Sequence, residues 1–288
     1  MNLTSECIEC LLKRHIATAR LHANEERVTA FARDLMRMII DGPEDMAAPY
    51  FSPQIARLFQ KHFDLPYDRY KEEKEASNRF ALEHMDRLGR VVASAGDPLY
   101  AGLQCAILGN YLDFSALQGE VDFDVLDKML ASASDIQVDK ENFEALRADL
   151  GAGKQLLYLT DNAGEIGFDR IFAEQMHCQF PGLEITFCVR GGPALNDATR
   201  EDAKAVGLPF PVIDNGNDIA GTVLALAGEE LKEAMDTADV IIAKGQANVE
   251  TLLGCGRNVY YAFLVKCPRF VRLFDKPKLT PLLHRERS

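Results

Sequence analysis

The stretch Gln155–Arg170, QLLYLTDNAGEIGFDR, is where the chain changes its period. An apolar run rich in Leu and Tyr stops at Asp161 and Asn162, and a helical pattern starts at Glu165. That reads as a buried strand running into a helix. Further on, LEITFCVRG, PFPVID, ADVIIAKG and NVYYAFLV are short apolar runs of the same kind. Helical stretches alternate with them: EIGFDRIFAEQMH, DATREDAKAVG, GTVLALAGEELKEAMDT and ANVETLLG. Such alternation implies parallel strands joined by crossover helices.

Upstream the pattern is helical. From about Glu6 to Leu150, apolar residues recur at three- and four-residue spacing, as in ECIECLLKRHIATARLHA and EERVTAFARDLMRMII. YKEEKEASNRFALEHMDRLGRVVASA reads as one long amphipathic helix. DPLYAGLQCAILGNYLDF reads as another, with Asp97 as N-cap and Pro98 at the first helical position. The expected fold class is α/β: a doubly wound, mostly parallel sheet domain preceded by an all-helical domain. The expected boundaries are 1–150 for the helical domain and 151–288 for the Rossmann-like α/β domain carrying the metal site. The tail LTPLLHRERS is expected to fray.

The 288 residues carry a formal net charge of −12. Such a surface repels nucleic acid and anionic membranes, so neither is an expected partner. No apolar run approaches the ~20 residues of a membrane span, and the N-terminus lacks the pattern of a secretory signal. Seven cysteines do not suggest a disulfide framework, which points to a reducing cytoplasm. The sequence carries no signal for oligomeric state.

In open parallel sheets, ligands bind outside the carboxyl ends of the strands. Four predicted strand ends read TDNAGE, RGGPALNDAT, DNGND and KGQANVE. They gather Asp161, Asn162, Glu165, Arg190, Asn196, Asp197, Asp214 and Lys244 near one rim. The carboxylates of Asp161 and Asp197, with the amide oxygen of Asn162, make a hard oxygen set suited to Mg²⁺ or Mn²⁺. Two converging carboxylates repel, and a divalent cation removes that repulsion. Lys244 would contact phosphate as a point charge, and helix N-termini near Gly164 and Asp197 would add backbone donors. Plainer readings stand beside these: Asp161 as a turn residue, Asp197 as a helix N-cap, Glu165 as a helix-dipole partner. The agreement of four strand ends favours the site. GAGK precedes the first strand, so it is not a phosphate loop, and no G-x-G-x-x-G follows a strand. Ala163, two residues past Asp161, excludes a D-x-D phosphatase strand end.

TDNAGE, RGGPALNDAT and KGQANVE together resemble the signatures of the damage-control phosphatase family. These are metal-dependent sugar-phosphate phosphatases, once catalogued as a domain of unknown function and linked to a proposed acidic-residue methyltransferase. The resemblance covers nearly the whole chain, LGNYLDF in the helical half included, and CIEC resembles the prokaryotic stand-alone branch. It implies Asp161, Asn162 and Asp197 as ligands of a divalent metal (Mn²⁺, Mg²⁺, Co²⁺ or Ni²⁺). It implies Asp161, Asp197 and Lys244 as catalytic residues, with Lys244 on the substrate phosphate. Asn110 would face the site, with Asp113 one helical turn on; Glu165, Arg190 and Asn196 are further substrate-binding candidates. The substrate would be a small phosphorylated metabolite such as a sugar phosphate. Ala247 departs from the expected Gly, and its methyl narrows the approach of backbone to ligand. The alternatives are a non-catalytic phosphosugar-binding protein and a carboxylate methyltransferase; the latter needs a glycine-rich first turn that TDNAGE lacks.

Cys7 and Cys10 share a helix face, and a CxxC binds metal or cycles as a dithiol. Cys267 in VKCP is similar to a further cysteine of the prokaryotic branch. The three form a candidate second metal or redox site, weighed against small buried side chains in a reduced protein. His15 and His22 on the same stretch read as surface or core residues.

Overall fold

A computed structural model describes residues 1–111 and 136–286. Among the described residues, six α-helices come first: α1 (Ser5–Ala19), α2 (Glu25–Ile40), α3 (Ser52–Phe63), α4 (Lys71–Ala93), α5 (Pro98–Gly109) and α6 (Lys140–Ala152). Side-chain caps start four of them, because the first amides of a helix have no internal partner. Thr4, Asn24, Asp97 and Asp139 accept from the amides of Cys7, Arg27, Tyr100 and Asn142. Asp97 and Pro98 thus act as expected; Asp113, further along that segment, lies outside the described residues.

Two apolar clusters divide these helices. Leu11, Phe31, Leu35, Phe59 and Phe63 hold α1, α2 and α3 together. Ala81, Leu103 and Leu146, from α4, α5 and α6, instead join a cluster with Tyr158 and Phe168 of the sheet layer. Helix α5 comes very close to the helix that follows the first strand. A Cβ on Gly109 would meet the Phe168 ring at 2.6 Å, so the backbone there tolerates only glycine. That close packing delivers Asn110 to the rim.

Six strands form one sheet: β1 (Gln155–Leu159), β2 (Glu184–Val189), β3 (Val212–Asp214), β4 (Val240–Lys244), β5 (Val259–Leu264) and β6 (Pro281–Arg285). The order is β3-β2-β1-β4-β5-β6, with β1 to β5 parallel. Between them run α7 (Glu165–Gln179), α8 (Arg200–Ala205), α9 (Glu229–Thr237), α10 (Gly245–Leu252) and α11 (Pro268–Phe274). This is the doubly wound α/β fold expected. β4 and β5 are buried along their whole length, which explains their unbroken apolar runs.

Two expectations are corrected. The helix read over GTVLALAGEELKEAMDT starts only at Glu229, after a short 3-10 turn at Leu224–Leu226. Gly228 takes the N-cap position, and Glu229 and Glu230 suit the first turn. The tail is not frayed through its apolar part: β6 pairs antiparallel with β5. Leu282 and Leu283 are buried there, and Glu286 accepts from the Tyr261 hydroxyl at 2.7 Å.

β1 lies between β2 and β4, so the winding reverses at β1 and β4. A crevice at that switch point is where doubly wound sheets take ligands.

His15, on α1, is 2% exposed and 6.0 Å from the Phe59 ring centroid. Burial, helped by Arg14 and Arg69, holds its imidazole well below the ordinary value. A folded pKa below the unfolded one gives stability that is present above about pH 6.5 and lost as pH falls. Thermal melts at about pH 7.5 and pH 5 should show a smaller acid loss in His15→Phe than in the wild type.

Candidate active site

The site forms where the ends of β1 and β4 lie side by side. Asp161 and Asn162 follow β1; Asp197 comes from the loop after β2; Lys244 ends β4 and Gly245 begins α10. The two loops are clamped through their backbones. Asn162 and Asp197 form an isolated antiparallel bridge. The Ala163 amide donates to the Asn196 carbonyl at 2.9 Å, and the Ala198 amide to the Asp161 carbonyl at 2.7 Å. The turn before Asn196 needs Leu195 at φ 52°, a left-handed conformation costing about 1–2 kcal/mol. Asp161, Asn162 and Asp197 therefore share one wall of a cavity of about 450 Å³.

Their side chains are fixed from behind. The Asn110 amide donates to Asp161 Oδ2 at 2.9 Å and to both oxygens of Glu165. The Asn162 amide donates to Asp161 Oδ2 and Glu165 Oε2, each at 2.7 Å, while its oxygen accepts from Asn196 at 2.8 Å. Asp197 Oδ2 accepts from Arg190 Nε at 2.6 Å, and a terminal nitrogen of Arg190 donates to the Thr160 carbonyl.

Neither Asp161 nor Asp197 is a helix cap. Thr199 caps α8 in a reciprocal pair with Asp202, and α7 starts from Gly164 without a side-chain cap. The Gly164 amide, expected as an anion donor, is taken by Asn78 Oδ1 at 2.8 Å.

Lys244 sits differently from the sequence expectation. Alternation along β4 puts it on the face of Ile242, which α5 and α7 cover. Its ammonium is fully buried and donates to Glu165 Oε1 at 2.7 Å, Asp169 Oδ1 at 2.5 Å and the Ala106 carbonyl at 2.9 Å. Burial pulls this ammonium down, but Asp169 and Glu165 outweigh it and hold it above its ordinary range. Burial pushes the Asp169 carboxyl up to about 7, against the pull of Lys244. A phosphate contact by Lys244 would require giving up one of these acceptors.

Of the predicted residues, Asp161, Asn162 and Asp197 line the cavity. Asn110, Glu165, Arg190, Asn196 and Lys244 stand behind that wall, and Asp214 accepts from Arg200. Asp169 and Gly245 were not read from the sequence. Asp169 had a signal, since it follows Glu165 by four residues on α7 and so shares its face. Gly245 has φ 74°, and a Cβ there would fall inside the Asp161 carboxylate. Gly245→Ala must therefore move Asp161. We expect phosphate release to fall by about 10²-fold or more, measured at saturating cation.

Cys7, Cys10 and Cys267 reach the same cavity, and so does Ala247. Cys7 Sγ accepts from Thr4 Oγ1 at 3.1 Å and from Arg269 at 3.4 Å. Burial pushes the Cys267 thiol up to about 11. Among the described residues, no group of three or more His, Cys, Asp and Glu side chains is placed to hold a metal. The acidic corner offers two such carboxylates, with an amide as the third oxygen.

Fold and site together define a doubly wound α/β protein with a cavity at its switch point that has an acidic, oxygen-rich corner. A family profile described as the damage-control phosphatase ARMT1-like domain matches residues 3–280. A damage-control phosphatase of Pyrococcus horikoshii is 34% identical over 286 residues, covering 96% of both chains. One of Archaeoglobus fulgidus is 28% identical, over 94% of this chain and 95% of its own. The crystal structure of a DUF89 family protein from Pyrococcus horikoshii superposes with a TM-score of 0.85 at 26% identity, over the whole of both chains. The chain belongs to the damage-control phosphatase family. The activity that goes with membership is phosphate-ester hydrolysis in metabolite damage control. Among the described residues no helix is long and apolar enough to cross a membrane.

The family implies a divalent cation, and the residues present fit one. Asp161, Asn162 and Asp197 are 5%, 2% and 3% exposed and offer oxygen donors only. Among the described residues, Lys244 bridges the carboxylates of Glu165 and Asp169, Arg190 pairs with Asp197, and Asp161 accepts from the Asn110 and Asn162 amides. Carboxylates converging in a buried corner repel, and a dication at the cavity wall offsets that repulsion. The Asn162 oxygen has a second lone pair beside the one used by Asn196.

Proposed function

We propose that this protein hydrolyses phosphate monoesters of small hydroxylated metabolites, sugar phosphates foremost, with a divalent cation held by Asp161, Asn162 and Asp197. The observation that carries this reading is the convergence of these three side chains on one cavity at the β1/β4 switch point. Bound there, a cation of the Mn²⁺, Mg²⁺, Co²⁺ or Ni²⁺ type supplies charge neutralisation at the phosphoryl oxygens. The protein's own part is positioning. Asn110 and Asn162 fix the Asp161 carboxylate, and Arg190 fixes Asp197. Asp161 and Asp197 are the carboxylates on the wall able to take a proton from an attacking water or to attack phosphorus themselves. Glu165 orients both asparagine amides, and Lys244 neutralises Glu165 and Asp169 so that the cluster can stay buried.

The odd count of seven cysteines suggests no disulfide framework, which supports a cytoplasmic setting. The test is phosphate release from a panel of sugar phosphates by chelator-treated protein, with each cation added back in turn. Release should depend on added cation. Equal release without any cation contradicts the reading.

A further inference from the structure

The cavity wall carries two polar side chains that the acidic corner does not use: the buried His15 from α1 and the half-buried Glu250 from α10. Neither ring nitrogen of His15 has a hydrogen-bond partner, and neither does the shielded Oε2 of Glu250. Glu250 lies five residues past Gly245, about 7 Å along α10 from the backbone that abuts Asp161. Buried polar atoms without partners are rare in folded proteins and destabilising unless something bonds to them. Both face a cavity large enough for a phosphorylated hexose-sized ligand, so a ligand can supply the missing partners.

The chemistry of the two groups selects that ligand. A neutral imidazole offers one donor and one acceptor. Burial pushes the Glu250 carboxyl up to about 7, so near neutrality it also both donates and accepts. The group that satisfies such a pair is a hydroxyl, which gives and takes a hydrogen bond at once. Arg14 and Arg269 on the same wall keep the surroundings from being uniformly acidic.

We propose that His15 and Glu250 form the specificity end of the cavity and read hydroxyl groups on the alcohol part of the phosphate ester. This rests on the phosphatase reading above and adds the residues that choose the substrate. A site built to bond hydroxyls rejects analogues that lack them, because its polar groups are then left unpaired.

The test compares kcat/KM for a hexose monophosphate and for phenyl phosphate, which has no hydroxyl, in the wild type, His15→Phe, Glu250→Leu and Glu250→Gln. The hexose-to-phenyl ratio should fall about tenfold or more in His15→Phe and Glu250→Leu. Glu250→Gln should recover most of that loss, since an amide also donates and accepts. A ratio within about twofold of wild type in the folded variants overturns the proposal; if His15→Phe does not fold, the two Glu250 variants decide. If the wild type hydrolyses neither ester, the phosphatase reading fails by itself. Calorimetry of hexose monophosphate with Mn²⁺ then judges the subsite. Affinity weakened about tenfold by Glu250→Leu keeps it; unchanged affinity, or no binding to the wild type, overturns it.

Discussion

Asp161→Asn should lower phosphate release by about 10³-fold and abolish tight divalent-cation binding, while the protein stays folded. The substitution keeps the shape of the side chain and removes its charge. Asp161 is the residue on which the site's other parts converge. Asn110 and Asn162 both donate to its Oδ2, its carbonyl accepts from Ala198, and Gly245 lacks a Cβ where the carboxylate lies. Loss of one carboxylate also relieves the repulsion between the buried carboxylates of the cluster. The melting temperature of the cation-free variant should therefore equal or exceed that of cation-free wild type. Activity and stability move in opposite directions, as is common where a site is built against the preference of the fold. Calorimetric titration with Mn²⁺, phosphate-release kinetics and a melt on one preparation check all three parts.

Lys244→Met should destabilise the fold by ~3–5 kcal/mol, since it strands Glu165 and Asp169 in a dry interior. For a protein of this size that is roughly 6–20 °C in melting temperature. The ammonium has three protein acceptors and no exposure, so its loss is felt before any substrate arrives. Adding Glu165→Gln and Asp169→Asn to Lys244→Met should restore much of the lost stability, because no uncompensated charge then remains. A Lys244 that mainly served phosphate would give another pattern: a small melting shift, a large kinetic defect and no recovery in the triple variant. Thermal melts and phosphate-release kinetics of the three proteins separate the two roles.

How much of this was legible in the sequence depends on which distances matter. Strand ends are local features. The apolar runs break at Asp161 and Lys244, and the strands stop at or within a residue or two of those breaks. The residues that line the cavity at the acidic corner were therefore readable, because Asp161 and Asn162 sit just past β1 and Asp197 lies in the loop that follows β2. The face a side chain takes was harder. Lys244 reads as a rim residue from its place at the end of β4, yet strand alternation turns it under α5 and α7. Asp169 lies inside a helical run and becomes an ion-pair partner only when α7 packs over the sheet. β6 escaped notice because a five-residue edge strand with Pro, His and Arg has little apolar signal of its own; the exposed edge of β5 gives it a place. His15 and Glu250 share a cavity only because the fold brings α1 and α10, more than two hundred positions apart in the chain, to its walls.

The central claim is that Asp161, Asn162 and Asp197 hold a divalent cation at the β1/β4 switch point. Its most direct test is an anomalous-difference map from crystals grown with Mn²⁺. The account predicts a single strong peak about 2.0–2.6 Å from oxygens of all three side chains. A map with no peak at that corner, in crystals of protein whose phosphatase activity depends on Mn²⁺, would contradict it.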